Sequence, residues 1–233
     1  MRPRQSRPRL IQAMLDAFRL PDLRQRILIT FGLLVAFRFI AHIPLPGVDT
    51  VALREFFQQN AMAGMLDMFS GGAMRNFSVA AMGVYPYITA SIIMTLMVPV
   101  IPKLQMISQE GESGRNKINR ISHWLTIPLA AISGYGQILL MQRTTAGVID
   151  PNITGLAMAS MIISLTAGTM FLVWLGELIT EYGIGNGISI LIFAGIITGY
   201  PQQIGNIFLG GSANLIGAVV YGFIVLATIV MIV

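Results

Sequence analysis

From Phe77 to Val98 the chain runs 22 residues without a charge. At a rise of 1.5 Å per residue that is about 33 Å of helix, enough to cross a hydrocarbon core of about 30 Å. The run is unusual for a plain anchor. It carries Ser78, Tyr85, Pro86, Tyr87, Thr89, Ser91 and Thr95, and a Gly71-Gly72 break and a basic joint at Arg75-Asn76 precede it. Such polar groups are best placed where a helix faces protein or a water-filled space. The composition agrees with a membrane setting, because only 11% of the residues are charged against about 25% in soluble domains. The expected class is an all-α membrane protein, a polytopic helical bundle.

Six spans are expected, at about 26–43, 77–99, 123–142, 155–176, 184–200 and 214–233. Residues 1–25 form a basic N-terminal segment in which Leu10, Ile11, Met14, Leu15 and Phe18 share one helical face. That segment reads either as an amphipathic helix on an anionic membrane surface or as a solvated topogenic tail. It is too long for a signal peptide, and no small-residue cleavage site follows the first apolar run. Arg38 sits near the outer end of the first span, where its head can snorkel to the interface. Seven Lys and Arg precede Ile27 and four more (Lys103, Arg115, Lys117, Arg120) lie in the loop at 100–122, against three (Arg54, Arg75, Arg143) on the other side. The bias places the N-terminus in the cytoplasm. The sequence stops inside an apolar run, which reads as part of a longer chain.

No constellation for covalent chemistry emerges, and no catalytic, cofactor or metal site is assigned. There are no cysteines, and His42 and His123 fall on opposite sides of the membrane under this topology. Glu177 and Glu181, spaced i and i+4, face the same way and could hold a cation, but at a cytoplasmic helix end they read as two solvated carboxylates. The glycines at 111–114 lack the strand before and the Lys-Ser/Thr after that a phosphate loop requires. The apolar residues are more suggestive. Val84, Ile88 and Ile92 share a face, as do Ile188 and Ile192. Such stiff β-branched side chains either pack helices together or form a narrow, dry constriction of the kind that gates pores.

Six segments in order, PLPGVD at 44–49, FSGGA at 69–73, MGVYPYITASII at 82–93, EGESGRNKINR at 110–120, GTMFLVWLGE at 168–177 and ITEYGIGNGISILIFAGI at 179–196, resemble the SecY family. Its members are the central subunits of the bacterial protein-conducting channel. The resemblance implies the first half of an inverted-repeat ten-span channel plus its sixth span. It implies a pore ring at Val84, Ile88, Ile188 and Ile192, and an external plug over about 62–74 with Met65, Phe69, Ser70, Gly71 and Gly72. It further implies a lateral gate face at Thr89, Ile92 and Thr95, and a cytoplasmic partner face at Lys103, Arg115, Lys117 and Arg120. The implied partners are SecE and SecG, the SecA motor or a ribosome, an unfolded preprotein or signal sequence, and the bilayer, with no direct nucleic-acid recognition. The implied location is the bacterial cytoplasmic (inner) membrane. Thr95 departs from the longer polar residue many members carry there, and Val84 from the commoner Ile.

Two rival functions are weighed against a translocation channel. An inverted-repeat secondary transporter of a small solute would also show broken helices, but the spans offer no mid-membrane charge to couple an ion. A poreless scaffold would have less use for the polar residues of Phe77–Val98.

Overall fold

The computed structural model describes residues 20–49, 51–53, 73–74, 76–144, 148–150 and 153–209, with side chains described up to residue 198. The basic segment before residue 20, most of the expected plug and the sixth span at 214–233 lie outside the described residues. Among the described residues six helices have defined bounds, in order: α1 (Pro21–Ile40), α2 (Tyr85–Met97), α3 (Pro102–Ser108), α4 (Glu112–Thr144), α5 (Gly155–Tyr182) and α6 (Gly187–Leu209). The only β pairing among the described residues is an isolated antiparallel bridge between Pro44 and Ser78.

α1 opens on Pro21, with Asp22 in its first turn and Arg38 in its last. Each charge sits at the helix end whose dipole favours it. α5 is the central helix and packs against α1, α2, α4 and α6. Met161, Leu165, Gly168, Leu172, Gly176 and Ile179 make its buried stripe at spacings of three and four. Leu156, Ile163 and Trp174 point outward, as expected of a helix that is apolar all round. Two cores lie along α5. One gathers Leu45, Leu53, Phe77, Ile138, Met161 and Leu165. The other gathers Phe37, Ala73, Ala80, Val84, Leu172, Leu175, Ile179 and Leu191.

α4 and α5 are the two helices, among the described residues, long and apolar enough to cross a membrane, and the bent pair α2–α3 makes a third if taken as one span. The expected first span corresponds to α1, whose 20 residues include Asp22, Arg24, Arg26 and Arg38.

The expected 22-residue helix at 77–98 is corrected by the structure. The helix starts only at Tyr85 and has 13 residues, about 20 Å of rise. Residues 76–84 instead form successive turns. Phe77 and Gly83 take positive φ angles of 39° and 56°, and Pro86 stands at the start of α2. Pro86 has no N–H to bond the carbonyl four residues back and its ring crowds that carbonyl, so the helix tolerates it only in the first turn and does not extend back through the preceding turns. The backbone of the turns is paired partly within the turns and partly with the stretch after α1. Leu45 N–H donates to Phe77 O at 3.0 Å, Val79 N–H to Ile43 O at 3.0 Å, Ser78 N–H to Ala73 O at 2.9 Å and Ala81 N–H to Ser78 O at 2.8 Å. The buried Ser78 hydroxyl accepts from Ala80 N–H at 3.2 Å.

The expected aqueous loop at 100–122 is corrected as well. It holds α3 and the first turns of α4, joined at Gly111 with φ 73°. The axis bends by 102° between α2 and α3. A Cβ at Gly114 would lie 1.8 Å from Ile107 O, so the glycine pair that suggested a loop is what lets α3 fold back on α4. α5 continues to Tyr182, past the expected end at 176, and α6 starts at Gly187 and runs to Leu209.

Gly168 seats the irregular turns against α5, since a Cβ there would stand 2.1 Å from Val79 O. Gly168→Ala should therefore lower stability by about 1–3 kcal/mol through overpacking, seen as an earlier thermal unfolding transition in detergent. Gly32→Ala, with nothing within 4 Å of its added Cβ, should leave the transition unchanged or raise it.

Candidate functional site

The turns at 81–84 deliver Val84 and the start of α2 to one wall of a cavity of about 710 Å³. Val84 and Ile88 line it from this side, Ile192 from α6, and Ser133, Gly136 and Gln137 from α4. Three of the four candidate ring residues thus share one space. The fourth, Ile188, is not on the wall; half-buried, it packs against the core that contains Val84 and Leu191. The wall carries no charged side chain. Its polar exceptions include Gln137, whose buried Oε1 has no hydrogen-bond partner. Such a hollow holds water weakly and offers few fixed hydrogen bonds to anything inside it.

The three candidate gate residues lie on α2. Pro86, Ala90 and Met94 are its buried side, and the helix packs chiefly on α4. Ile92 and Thr95 are exposed and Thr89 is half-buried. The Thr89 hydroxyl donates to Tyr85 O at 3.1 Å and Thr95 to Ser91 O at 2.8 Å. These hydroxyls satisfy themselves on their own helix, so they demand no polar neighbour.

A polar cluster joins α2, α4 and α5. The Tyr87 hydroxyl donates to Asn119 Oδ1 at 2.9 Å, and Asn119 Nδ2 donates to Glu177 Oε1 at 3.2 Å. His123 Nε2 stands 3.2 Å from the same carboxylate oxygen, and its ring centroid is 5.4 Å from that of Tyr87. His123 Nε2 is buried and its approach to Glu177 is not aligned for a hydrogen bond, so the link is one of proximity. Glu177 and Glu181 thus differ: both carboxylates reach solvent, but Glu177 also has partners on another helix. Glu181 is exposed, whereas Glu177 is tied to α4. In sequence these partners are separated by 32 and 58 positions, and no local pattern pairs them.

Lys103, Arg115, Lys117 and Arg120 are all exposed on the α3–α4 corner. Lys117 Nζ pairs with Glu110 Oε2 at 2.6 Å, a surface contact of little worth to stability. Met65, Phe69, Ser70, Gly71 and Gly72 lie outside the described residues. Ala73, just after them, is fully buried in the core beside Val84.

The SecY family model matches residues 78–233. The protein translocase subunit SecY of Thermotoga maritima is 44% identical over 208 residues, covering 86% of this chain and 48% of the relative. Its counterpart in Streptomyces lividans is 39% identical over 96% of this chain and 53% of the relative. The chain therefore spans about half the length of the curated relatives it matches. Among solved structures, Sec61 in the canine ribosome–channel complex from the endoplasmic reticulum superposes with a TM-score of 0.51. It shares 20% identity, over 80% of this chain and 38% of that one. A second structure, described as that of a protein conducting channel, matches equally well. At this identity the likeness is one of fold.

Tyr87→Phe removes the only side-chain hydrogen bond recorded between α2 and α4 among the described residues, and should cost about 1 kcal/mol. Asn119→Ala should cost more, because it also strips a donor from Glu177. In a double-mutant cycle on thermal unfolding the two changes should be strongly non-additive.

Proposed function

The chain belongs to the SecY family, and on that footing we propose that it forms the first part of the central pore subunit of a bacterial protein translocase. In this reading it conducts unfolded secretory polypeptides across the cytoplasmic membrane and releases apolar segments sideways into lipid. Its N-terminus is cytoplasmic, and its channel is completed by further spans and by SecE and SecG. The α3–α4 corner, with Lys103, Arg115, Lys117 and Arg120 exposed, faces the SecA motor or a ribosome. The segment at about 62–74 closes the resting channel from outside, and the exposed Ile92 and Thr95 side of α2 is one half of the lateral gate.

The observation that carries the proposal is the convergence of Val84, Ile88 and Ile192 on one uncharged cavity. A crossing polypeptide needs a wet path, because its backbone groups cannot be left unsatisfied in lipid. Between substrates the path must be closed to ions. Aliphatic side chains close around any sequence by non-specific contact and close on each other when it leaves, and a constriction that dewets also bars ions. The task requires no bond to be made or broken by this subunit. A small-solute transporter is less well served by the same cavity, whose wall has no charge with which to couple an ion.

These 233 residues contain no cysteine, so a cysteine introduced here has no background from this part of the channel. Cysteine placed at Ile88 or Ile192 in the complete channel should form a disulfide with a single cysteine in a stalled secretory protein. Cysteine at Phe193, exposed and off the cavity wall, should not. Equal crosslinking at all three positions, or none with the substrate engaged, would remove the pore assignment. Ile88→Gly should in addition raise resting ion conductance in liposomes, and no rise would count against a seal at this position.

A further inference from the structure

The ITEYGIGNGIS segment folds into a joint between α5 and α6 that is closed at several points. The Thr180 hydroxyl donates to Gly176 O at 2.8 Å and accepts from Gly187 N–H at 2.9 Å. Asn186 Oδ1 accepts from Ser189 N–H at 3.1 Å, capping the first turn of α6. The loop is tied to α1 as well, with Arg26 Nη1 donating to Gly183 O at 3.3 Å and Ile184 N–H to Thr30 Oγ1 at 3.2 Å. The start of α6 therefore has little freedom to shift.

Two glycines face each other across this joint, and they do different things. A Cβ on Gly187 would lie 1.8 Å from Gly176 O and 2.8 Å from Ile179 Cβ. Those obstacles are a backbone atom and a buried side chain at its root, so any larger residue at 187 must part the helices. A Cβ on Gly176 would instead meet Ile188, at 2.5 Å from Cδ1 and 3.2 Å from Cγ1. The nearer obstacle is the far end of a side chain, which can swing away.

From this geometry we infer that Gly176 is a positioning residue for Ile188: the missing side chain at 176 is the socket that holds the Ile188 tip against α5. Ile188 is one turn before Ile192 on α6 and half-buried against the core that contains Val84. Filling the socket drives the Cδ1 methyl out of its place, and the strong rotamer preferences of a β-branched side chain leave it few alternatives. The backbone joint, held through Thr180, Asn186, Arg26 and Thr30, survives that change. Gly176 thus sets where one aliphatic side chain stands, separately from whether the helices pack.

The inference rests on the pore reading, and the test separates the two. In the complete channel reconstituted in liposomes, Gly176→Ala should assemble normally and raise resting ion conductance several-fold. Ile188→Val, which deletes the Cδ1 carbon that the new methyl would strike, should rescue it, so that the double variant leaks no more than Ile188→Val alone. A Gly176→Ala channel that leaks like the parent overturns the inference, as does a leak that Ile188→Val leaves in place. If Gly176→Ala fails to accumulate, recovery of the double variant still assigns the clash to Ile188, and failure of both assigns it elsewhere and overturns the proposal. Ile188→Gly tests the underlying reading by itself: no change in conductance there removes Ile188 from the seal, whatever Gly176 does.

Discussion

Everything at the cavity depends on how residues 76–84 satisfy their backbone. Irregular chain at the centre of an apolar protein leaves N–H and C=O groups that neither lipid nor side chains of the core can pair. Here the short stretch after α1 supplies partners from Ile43 and Leu45, and the turns supply the rest from Ala73, Ser78 and Ala80. Gly168 lets the segment lie on α5 at a distance no side chain would permit. With those bonds made, the fold can delay the start of α2 to Tyr85. That delay decides where Val84 and Ile88 stand and opens room between α2, α4 and α6.

The two hairpin joints follow a common design. At α3–α4, Gly114 abuts the carbonyl of Ile107, and at α5–α6, Gly187 abuts the carbonyl of Gly176. In each case a glycine in the first turn of the second helix lets it pass against the backbone of the first. Close approach of this kind leaves little slack, so both joints behave as fixed corners. Between them the cluster of Tyr87, Asn119, His123 and Glu177 ties α2 to α4 and α5 through part-buried polar contacts. The outer side of α2, with Ile92, Thr95 and Leu96 exposed, is held by none of these.

Some of this was readable in the sequence and some was not. The apolar run after Phe77 marked a membrane element, and its polar residues marked it as no simple anchor. The break inside it was legible too, in Gly83 followed by Pro86, but a count of uncharged residues overrides that local signal. Gly111 and Gly114 in EGESGRNKINR suggested a loop because glycine and charge favour one. The structure uses the first as a turn and the second as a contact, and composition cannot tell these apart. In the sequence the only neighbour of interest for Glu177 was Glu181. Its real partners lie on another helix.

The sequence by itself determined the class of molecule, the family and the candidate lining residues. Hydropathy, charge bias and motif order are properties of the chain that survive without knowledge of contacts. Tertiary structure alone decided that Val84, Ile88 and Ile192 share a cavity while Ile188 rests in the Gly176 socket. Periodicity places side chains on a face of their own helix and is silent about what that face meets. That is fixed by glycine contacts and backbone pairings between segments far apart in the chain.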